Sequence, residues 1–292
     1  MERIDFLATD RIVLNGILYT SERKTKDIIL AVHGMSSNCF KKRDEIIANE
    51  ANKNNIDYFC FNNRGSELVR YIAKEDGEKS LGGTTYEDPT ESYEDIVGAI
   101  LKIKELGYEN IYLQGHSLGC TKVVYTYNEL KDEESNDILK NIKGVILLSM
   151  VDIPETLKVF LKENENKYLK IAEDYEQSGN VNELMPKESF IHPISVKTFL
   201  KYMKYNKEID IARYSKDDDN LEKLNNIEVP IFMRWGTEKE MILQTPQELL
   251  DIINAKLINK NKDINFINGA DHGYHEKEEE LAEQIVKFIK EN

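Results

Sequence analysis

Few cysteines, a deficit of positive charge and no long apolar run mark this sequence, and each shortage closes off a class of protein. Across 292 residues no apolar stretch approaches the roughly 20 needed to cross a bilayer as a helix. The opening residues, Met1-Glu2-Arg3-Ile4-Asp5, carry no apolar core of a secretory signal, so the expected compartment is the cytoplasm. The three cysteines, Cys39, Cys60 and Cys120, lie far apart and lack metal-ligand spacing. So sparse and odd a set fits free thiols in a reducing compartment, serving as small core hydrophobes. Lys and Arg total 39 against 53 Asp and Glu, a net charge of −14. A surface this acidic repels nucleic acid and anionic membrane, so neither is expected as a partner. Runs such as Asp217-Asp218-Asp219 and Glu276-Lys277-Glu278-Glu279-Glu280 read as solvated faces. Internal repeats and low-complexity linkers are also lacking.

What is present is an alternation of strand and helix. Ile4–Leu7 and Ile12–Tyr19 read as a strand pair, with Asn15-Gly16 a candidate bend or bulge. Ile28-Ile29-Leu30-Ala31-Val32 is continuously apolar, as a strand buried on both faces must be. A helix over 42–54 and a strand at Tyr58–Phe61 follow. The polar stretch Gly65–Pro89 reads as a loop, and Thr90 or Ser92 as the cap of a helix ending at Gly107. Then come a strand at Ile111–Gln114, a helix from Thr121 to Leu130, and a sixth strand at Val145–Leu148. This order predicts a mostly parallel sheet flanked by helices, an α/β fold.

The pattern breaks after Met150. Leu157, Phe160, Leu161, Tyr168, Ile171 and Tyr175 recur at helical spacing, as do Val196, Phe199, Leu200 and Met203. Residues 151–225 are therefore expected to form a helical lid, inserted into a core made of 1–150 and 226–292. Strands resume at Val229–Trp235 and Ile264–Ile267, with helices from Pro246 and to Lys290.

Residues Gly115-His116-Ser117-Leu118-Gly119 carry the chemistry. G-x-S-x-G between a strand and a helix holds the serine on a sharp turn at the helix N-terminus, where N–H groups favour developing negative charge. The flanking glycines avoid clashes with the neighbouring strand and helix. The ordinary alternative is a glycine-rich turn with Ser117 as N-cap. A serine hydroxyl needs a general base, and the base an orienting carboxylate. Of five histidines, His116 sits on the turn itself and is expected to point elsewhere, His33 belongs to another strand end and His192 to the insertion. Nucleophile–acid–histidine chain order leaves His272 and His275, and His272, flanked by glycine in a loop after the last strand, is preferred. The acid is expected in Gly236-Thr237-Glu238-Lys239-Glu240-Met241-Ile242. Glu240, followed by apolar residues, is preferred over Glu238, with Asp152 as an outside candidate or a helix cap. Oxyanion donors are expected from the backbone N–H of Leu118 and of Met35, in the turn His33-Gly34-Met35.

Together these residues resemble the α/β-hydrolase superfamily over nearly the full chain. His33-Gly34-Met35-Ser36 matches its oxyanion turn, Asn63-Arg64-Gly65 its Asp-x-Arg-Gly segment and Gly115–Gly119 its nucleophile elbow. Trp235-Gly236 precedes the acid, and Gly269-Ala270-Asp271-His272 closes the set. The chain departs at the acid loop, where Lys239 stands in place of the usual aspartate. Either one residue is inserted and Glu240 takes the role, or the acid lies elsewhere. The Gly-His-Ser-Leu-Gly-Cys-Thr-Lys run and the insertion are also similar to a branch related to siderophore-ester hydrolases. The expectation is a serine hydrolase of small or medium-sized neutral carboxylic esters, with no metal or organic cofactor. An acyltransferase, thioesterase or amidase using the same residues, or a non-catalytic ligand-binding module, remains open. Phe160, Tyr168, Phe190, Phe199 and Tyr202 are candidates for an aromatic pocket or for ordinary lid packing, and the lid helices for a homodimer interface.

Overall fold

The computed structural model describes residues 1–132, 137–204, 209–211, 213–216 and 219–292. Asp217 and Asp218 of the acidic run therefore lie outside the described residues. The chain begins with β1 (Glu2–Leu7), β2 (Val13–Tyr19) and β3 (Asp27–Val32), then α1 (Lys42–Lys53) and β4 (Asp57–Asn62). A hairpin of β5 (Arg70–Ala73) and β6 (Lys79–Gly82) leads to α2 (Ser92–Glu105), β7 (Asn110–His116), α3 (Leu118–Asp132) and β8 (Ile142–Leu148). Next come α4 (Ile153–Leu161), α5 (Glu165–Gln177), α6 (Val196–Met203) and the short α7 (Glu222–Asn225). The chain returns to the sheet through β9 (Ile231–Gly236), α8 (Pro246–Lys256), β10 (Lys262–Ile267) and α9 (Glu278–Glu291).

Eight strands form one sheet in the order β1-β2-β4-β3-β7-β8-β9-β10. β1–β2 and β2–β4 pair antiparallel, and every other pair in this sheet is parallel. This is the mostly parallel, helix-flanked sheet expected of the chain. β3 shows why an uninterrupted apolar run was needed. Its alternate side chains feed two different cores, Ile28, Leu30 and Val32 on one face and Ile29 and Ala31 on the other. The first face is covered by α2, α3 and α8, the second by α1 and α9. A third apolar cluster, built from α4, α5 and α6, meets the sheet's end at Leu118, with Met35 packed against it. The buried free thiols Cys39, Cys60 and Cys120 belong to the two sheet cores.

Several local expectations are corrected. The stretch Gly65–Pro89 is not all loop, because Arg70–Ala73 and Lys79–Gly82 pair as a two-stranded ribbon. Gly16 makes no bulge: β2 keeps register through it, and a Cβ there would stand 2.5 Å from the Cys60 carbonyl oxygen. Neither Thr90 nor Ser92 is the capping side chain. Asp88 takes that place, accepting from the Thr90 N–H at 3.1 Å and opening a short 3-10 turn ahead of α2. Helix α3 starts at Leu118, directly after the serine, rather than at Thr121. Within the acidic run at 276–280, Glu278 is buried and sits 3.6 Å from Lys42.

The elbow depends on close backbone approach. A Cβ on Gly119 would press into the Val32 carbonyl oxygen at the end of β3, and one on Gly115 into the Gly119 carbonyl. Neither obstacle is a movable side-chain tip. Gly119→Ala is therefore expected to lower stability by about 1–3 kcal/mol, the usual cost of overpacking. Urea unfolding of the two proteins checks this, and an unchanged midpoint would mean that the β3–α3 contact is not tight.

Candidate active site

Ser117 sits between β7 and α3 with a left-handed φ of 55°. A β-carbon residue in that region costs on the order of 1–3 kcal/mol, held here by the surrounding packing. Its N–H donates to the Leu148 carbonyl at 2.8 Å and its carbonyl accepts from the Cys120 N–H at 2.9 Å. Both of its main-chain groups are thus fixed. The turn after β3 lies directly against it, since a Cβ on Gly34 would come within 2.9 Å of the Ser117 Cβ. Leu118 is the first residue of α3, so its N–H has no partner inside the helix. Met35 and Leu118 both line the cavity into which Ser117 opens. The next residue, Ser36, has a φ of 54° and donates its N–H to the Thr84 hydroxyl at 2.7 Å, which donates to the Gly65 carbonyl at 2.9 Å. That chain of bonds ties the turn to the loop after β4. The same loop is anchored by Arg64, which makes side-chain bonds of 2.8 and 3.0 Å to the fully buried Asp95.

His272 follows β10 and lines the same cavity as Ser117. Its Nδ1 stands 2.7 Å from Glu240 Oε2. Glu240 comes from the loop after β9, where Lys239 turns left-handed at φ 50°. The side chain that follows, Glu240, is 3% exposed. Glu238, by contrast, is exposed and bonds only its backbone N–H to the Ala270 carbonyl, at 2.9 Å. Asp152 is buried and caps α4, accepting from the Glu155 N–H at 3.4 Å and the Ser215 N–H at 3.2 Å. His275 is exposed and pairs with Asp271 at 2.8 Å. Of the three carboxylates weighed, Glu240 is the one brought against His272.

The Glu240 carboxylate is nearly sealed from solvent and surrounded by donors. Oε1 accepts from the Ser149 hydroxyl at 2.6 Å and the Gly236 N–H at 2.9 Å, while Oε2 accepts from His272 and, at 3.3 Å, the Met241 N–H. A carboxylate only accepts, so His272 carries a proton on Nδ1. Gly236 must be glycine, because a Cβ there would run into the Ala270 carbonyl of the histidine loop.

Three residues around this pair escaped the sequence reading. Ser149 is fully buried with a φ of 50°, at the end of β8. Its backbone N–H is tied to the Arg234 carbonyl at 2.8 Å, which aims the hydroxyl at Glu240. Tyr274 donates its hydroxyl to the same Arg234 carbonyl at 2.7 Å and lies 3.0 Å from the Ser149 Oγ. His116 does not point away from the site. Its Nε2 lies 2.7 Å from the His272 carbonyl oxygen, so it carries the proton there and pins the backbone of the histidine loop. Burial holds its imidazolium form well below the usual histidine range. The spacing of a serine after a strand or a histidine inside an elbow gives no cue to these roles, because both partners are remote in sequence.

The cavity measures about 530 Å³ and is walled by Val151, Ile153, Leu157, Phe160, Phe190 and Met241 among others. Of the five aromatic candidates for a pocket, Phe160 and Phe190 reach it. Tyr168, Phe199 and Tyr202 are buried within the cluster of α4, α5 and α6. Among the described residues no group of three or more His, Cys, Asp or Glu is placed to hold a metal ion. Among them, too, no helix is long and apolar enough to cross a membrane.

One buried histidine has a stability consequence. His33 precedes the turn at Gly34, and burial, reinforced by Lys122, lowers its pKa to about 3. The unfolded chain protonates this group near pH 6.5 and the folded one does not. Its contribution to stability is therefore complete above pH 6.5 and falls by up to about 1.4 kcal/mol per pH unit as pH drops toward 3. His33→Asn, which keeps a donor for the Gly34 carbonyl, is expected to flatten the loss of stability between pH 6.5 and 4.5. Urea melts across that range measure the slope, and equal slopes in the two proteins would contradict it.

A family model described as "Protein of unknown function (DUF1749)" matches residues 80–290. No curated protein matches the chain. Solved structures do. The chain is similar to Est1E from Butyrivibrio proteoclasticus with bound ferulic acid, at 16% identity and a TM-score of 0.64, covering 98% of each chain. It is similar to a highly thermostable carboxyl esterase from Bacillus coagulans in complex with glycerol, at 14% identity and a TM-score of 0.68, covering 99% of this chain and 97% of that one. It is also similar to DcsB in complex with a substrate analogue, at 15% identity and a TM-score of 0.69, covering 100% and 98%.

Proposed function

The chain belongs to the family described as protein of unknown function (DUF1749) and has the α/β-hydrolase fold, and from that premise we propose that it is a serine hydrolase of carboxylic esters. The observation that carries this reading is the 2.7 Å contact of His272 Nδ1 with Glu240, on the wall of the cavity that also receives Ser117. With Nδ1 protonated, His272 presents a basic Nε2 toward that cavity. In the proposed reaction the Ser117 oxygen attacks the ester carbonyl carbon as Nε2 takes its proton. The oxyanion is received by the N–H groups of Leu118 and Met35. His272, now cationic beside Glu240, returns the proton to the departing alcohol oxygen, and an acyl group remains on Ser117. Water then repeats the sequence and releases the acid.

The solved structures named as esterases support hydrolysis of esters rather than acyl transfer. The segment formed by α4, α5 and α6 serves in this reading as the lid over residues 1–150 and 226–292, because its cluster meets the sheet at Leu118 and Met35, beside the nucleophile.

Ser117→Ala is expected to abolish both turnover of an activated acetyl ester and labelling by a fluorescent phosphonate. Residual turnover above about one part in a thousand would point to another nucleophile. Glu240→Gln is expected to cost at least about a hundredfold in kcat, while Glu238→Gln stays within about twofold. The reverse order would move the acid to Glu238.

A further inference from the structure

The cavity at Ser117 differs in character from the surface around it. The protein carries a net charge of −14, yet of the residues lining this cavity His272 is the one with a titratable side chain. Among the described residues neither a carboxylate nor a lysine or arginine lines the space. A charged substrate group placed there would lose its water and find no counter-charge. The wall is mainly aliphatic, and the Thr156 hydroxyl, its one polar group from α4, is buried in the wall rather than presented to the space.

The apolar wall also continues outward. Val159, Phe160, Ile191 and Met241 line the cavity and remain 59%, 44%, 58% and 39% exposed. Large apolar side chains this exposed, gathered on one rim, mark a surface that a ligand covers. The rim is continuous with the space above Ser117, so the occupant that covers it is the far end of the molecule whose carbonyl lies at the serine. A cavity of about 530 Å³ holds a chain of roughly ten to fifteen heavy atoms, allowing on the order of 30 Å³ for each and some open volume at the mouth.

Resting on the Ser117 hydrolase reading, we propose that the substrate is an ester of an uncharged acyl chain of medium length, on the order of eight to twelve carbons, whose outer half lies on Phe160 and Ile191. Those two residues set specificity, one from α4 and one from the segment before α6. Each further methylene buried is worth roughly a three- to fourfold gain in kcat/KM until the chain passes the rim.

The test uses p-nitrophenyl esters of two to sixteen carbons, all below their critical micelle concentrations, and p-nitrophenyl alkylphosphonates of the same lengths. In the phosphonates the Ser117 oxygen bonds to phosphorus, p-nitrophenolate leaves and the serine proton passes to His272, so labelling reads chain preference without any turnover. Both series are expected to peak at about eight to twelve carbons. Phe160→Ala and Ile191→Asp are each expected to lower the decanoyl-to-acetyl ratio of kcat/KM at least tenfold, these two side chains being partly exposed and their replacement compatible with folding. A flat series in both probes, with Ser117-dependent acetyl turnover intact, would overturn the chain proposal and leave the hydrolase reading standing. In a second arm the longer esters are taken above their critical micelle concentrations, and turnover of them found only there would also overturn it, making the rim a docking surface for a lipid aggregate. Absence of both turnover and phosphonate labelling would overturn the hydrolase reading itself, and the chain proposal with it.

Discussion

The site depends first on a contact between backbones. α3 can approach β3 only because Gly119 has no side chain to meet the Val32 carbonyl oxygen. That approach sets the distance between the serine turn and the turn after β3, since Gly34 then lies against Ser117 with room for nothing larger than hydrogen. A second glycine, Gly115, lets the strand end fold back under the helix. With the three backbones this close, Ser117 has no relaxed conformation available, and its left-handed φ follows from the packing. Placement of the hydroxyl and of the neighbouring N–H groups is thus one event. They cannot be shifted independently, which is a useful property where an attacking oxygen and its stabilising donors must act together.

The opposite wall is organised by one carboxylate. Glu240 gathers donors from three segments: Ser149 at the end of β8, Gly236 at the end of β9 with Met241 in the loop after it, and His272 after β10. Adjacent parallel strands deliver their C-terminal ends to the same edge of the sheet, and those ends supply every one of these groups. Each bond also restrains the loop it comes from. His116 completes the arrangement from the nucleophile's own turn by holding the His272 carbonyl. The histidine is therefore fixed at its ring by Glu240 and at its backbone by His116, on the wall of the cavity.

Much of this was legible in the chain because the relevant signals are local. The apolar run Ile28–Val32 demanded a strand buried on both sides, and the two glycines around Ser117 demanded close approach. The carboxylate that meets His272 was half legible. Glu240 stood out over Glu238 through the apolar residues that follow it, but the left-handed turn at Lys239 that directs it inward has no composition signature. Ser149 was illegible for a different reason. Its function is to face a residue 91 positions away, and a serine at a strand end is common enough to pass unnoticed. The ribbon of β5 and β6 escaped because its strands are four residues each and mostly exposed, so neither length nor apolar alternation marks them. Helical periodicity in 151–225 gave the helices but not their orientation. Phe160 and Phe199 share the same pattern, yet one rims the cavity and the other is sealed inside the insertion's own core.

The contrast between surface and cavity follows from the same division of labour. Acidic side chains outnumber basic ones, and those on the solvated faces interact weakly with one another. At the mouth, by contrast, apolar side chains stay exposed although the insertion has a core of its own in which to bury them. α4 does bury Leu157 and Leu161 in that core, while it turns Phe160 and Val159 outward to the rim. An amphipathic helix with a second, outward apolar edge is poorly explained by packing alone, since water contact with that edge is unfavourable in the empty site. The edge becomes favourable once a hydrocarbon chain covers it. Because α4 begins soon after the strand end that carries Ser149, the wall that would read the chain and the hydroxyl that bonds Glu240 are separated by only a few residues of one segment.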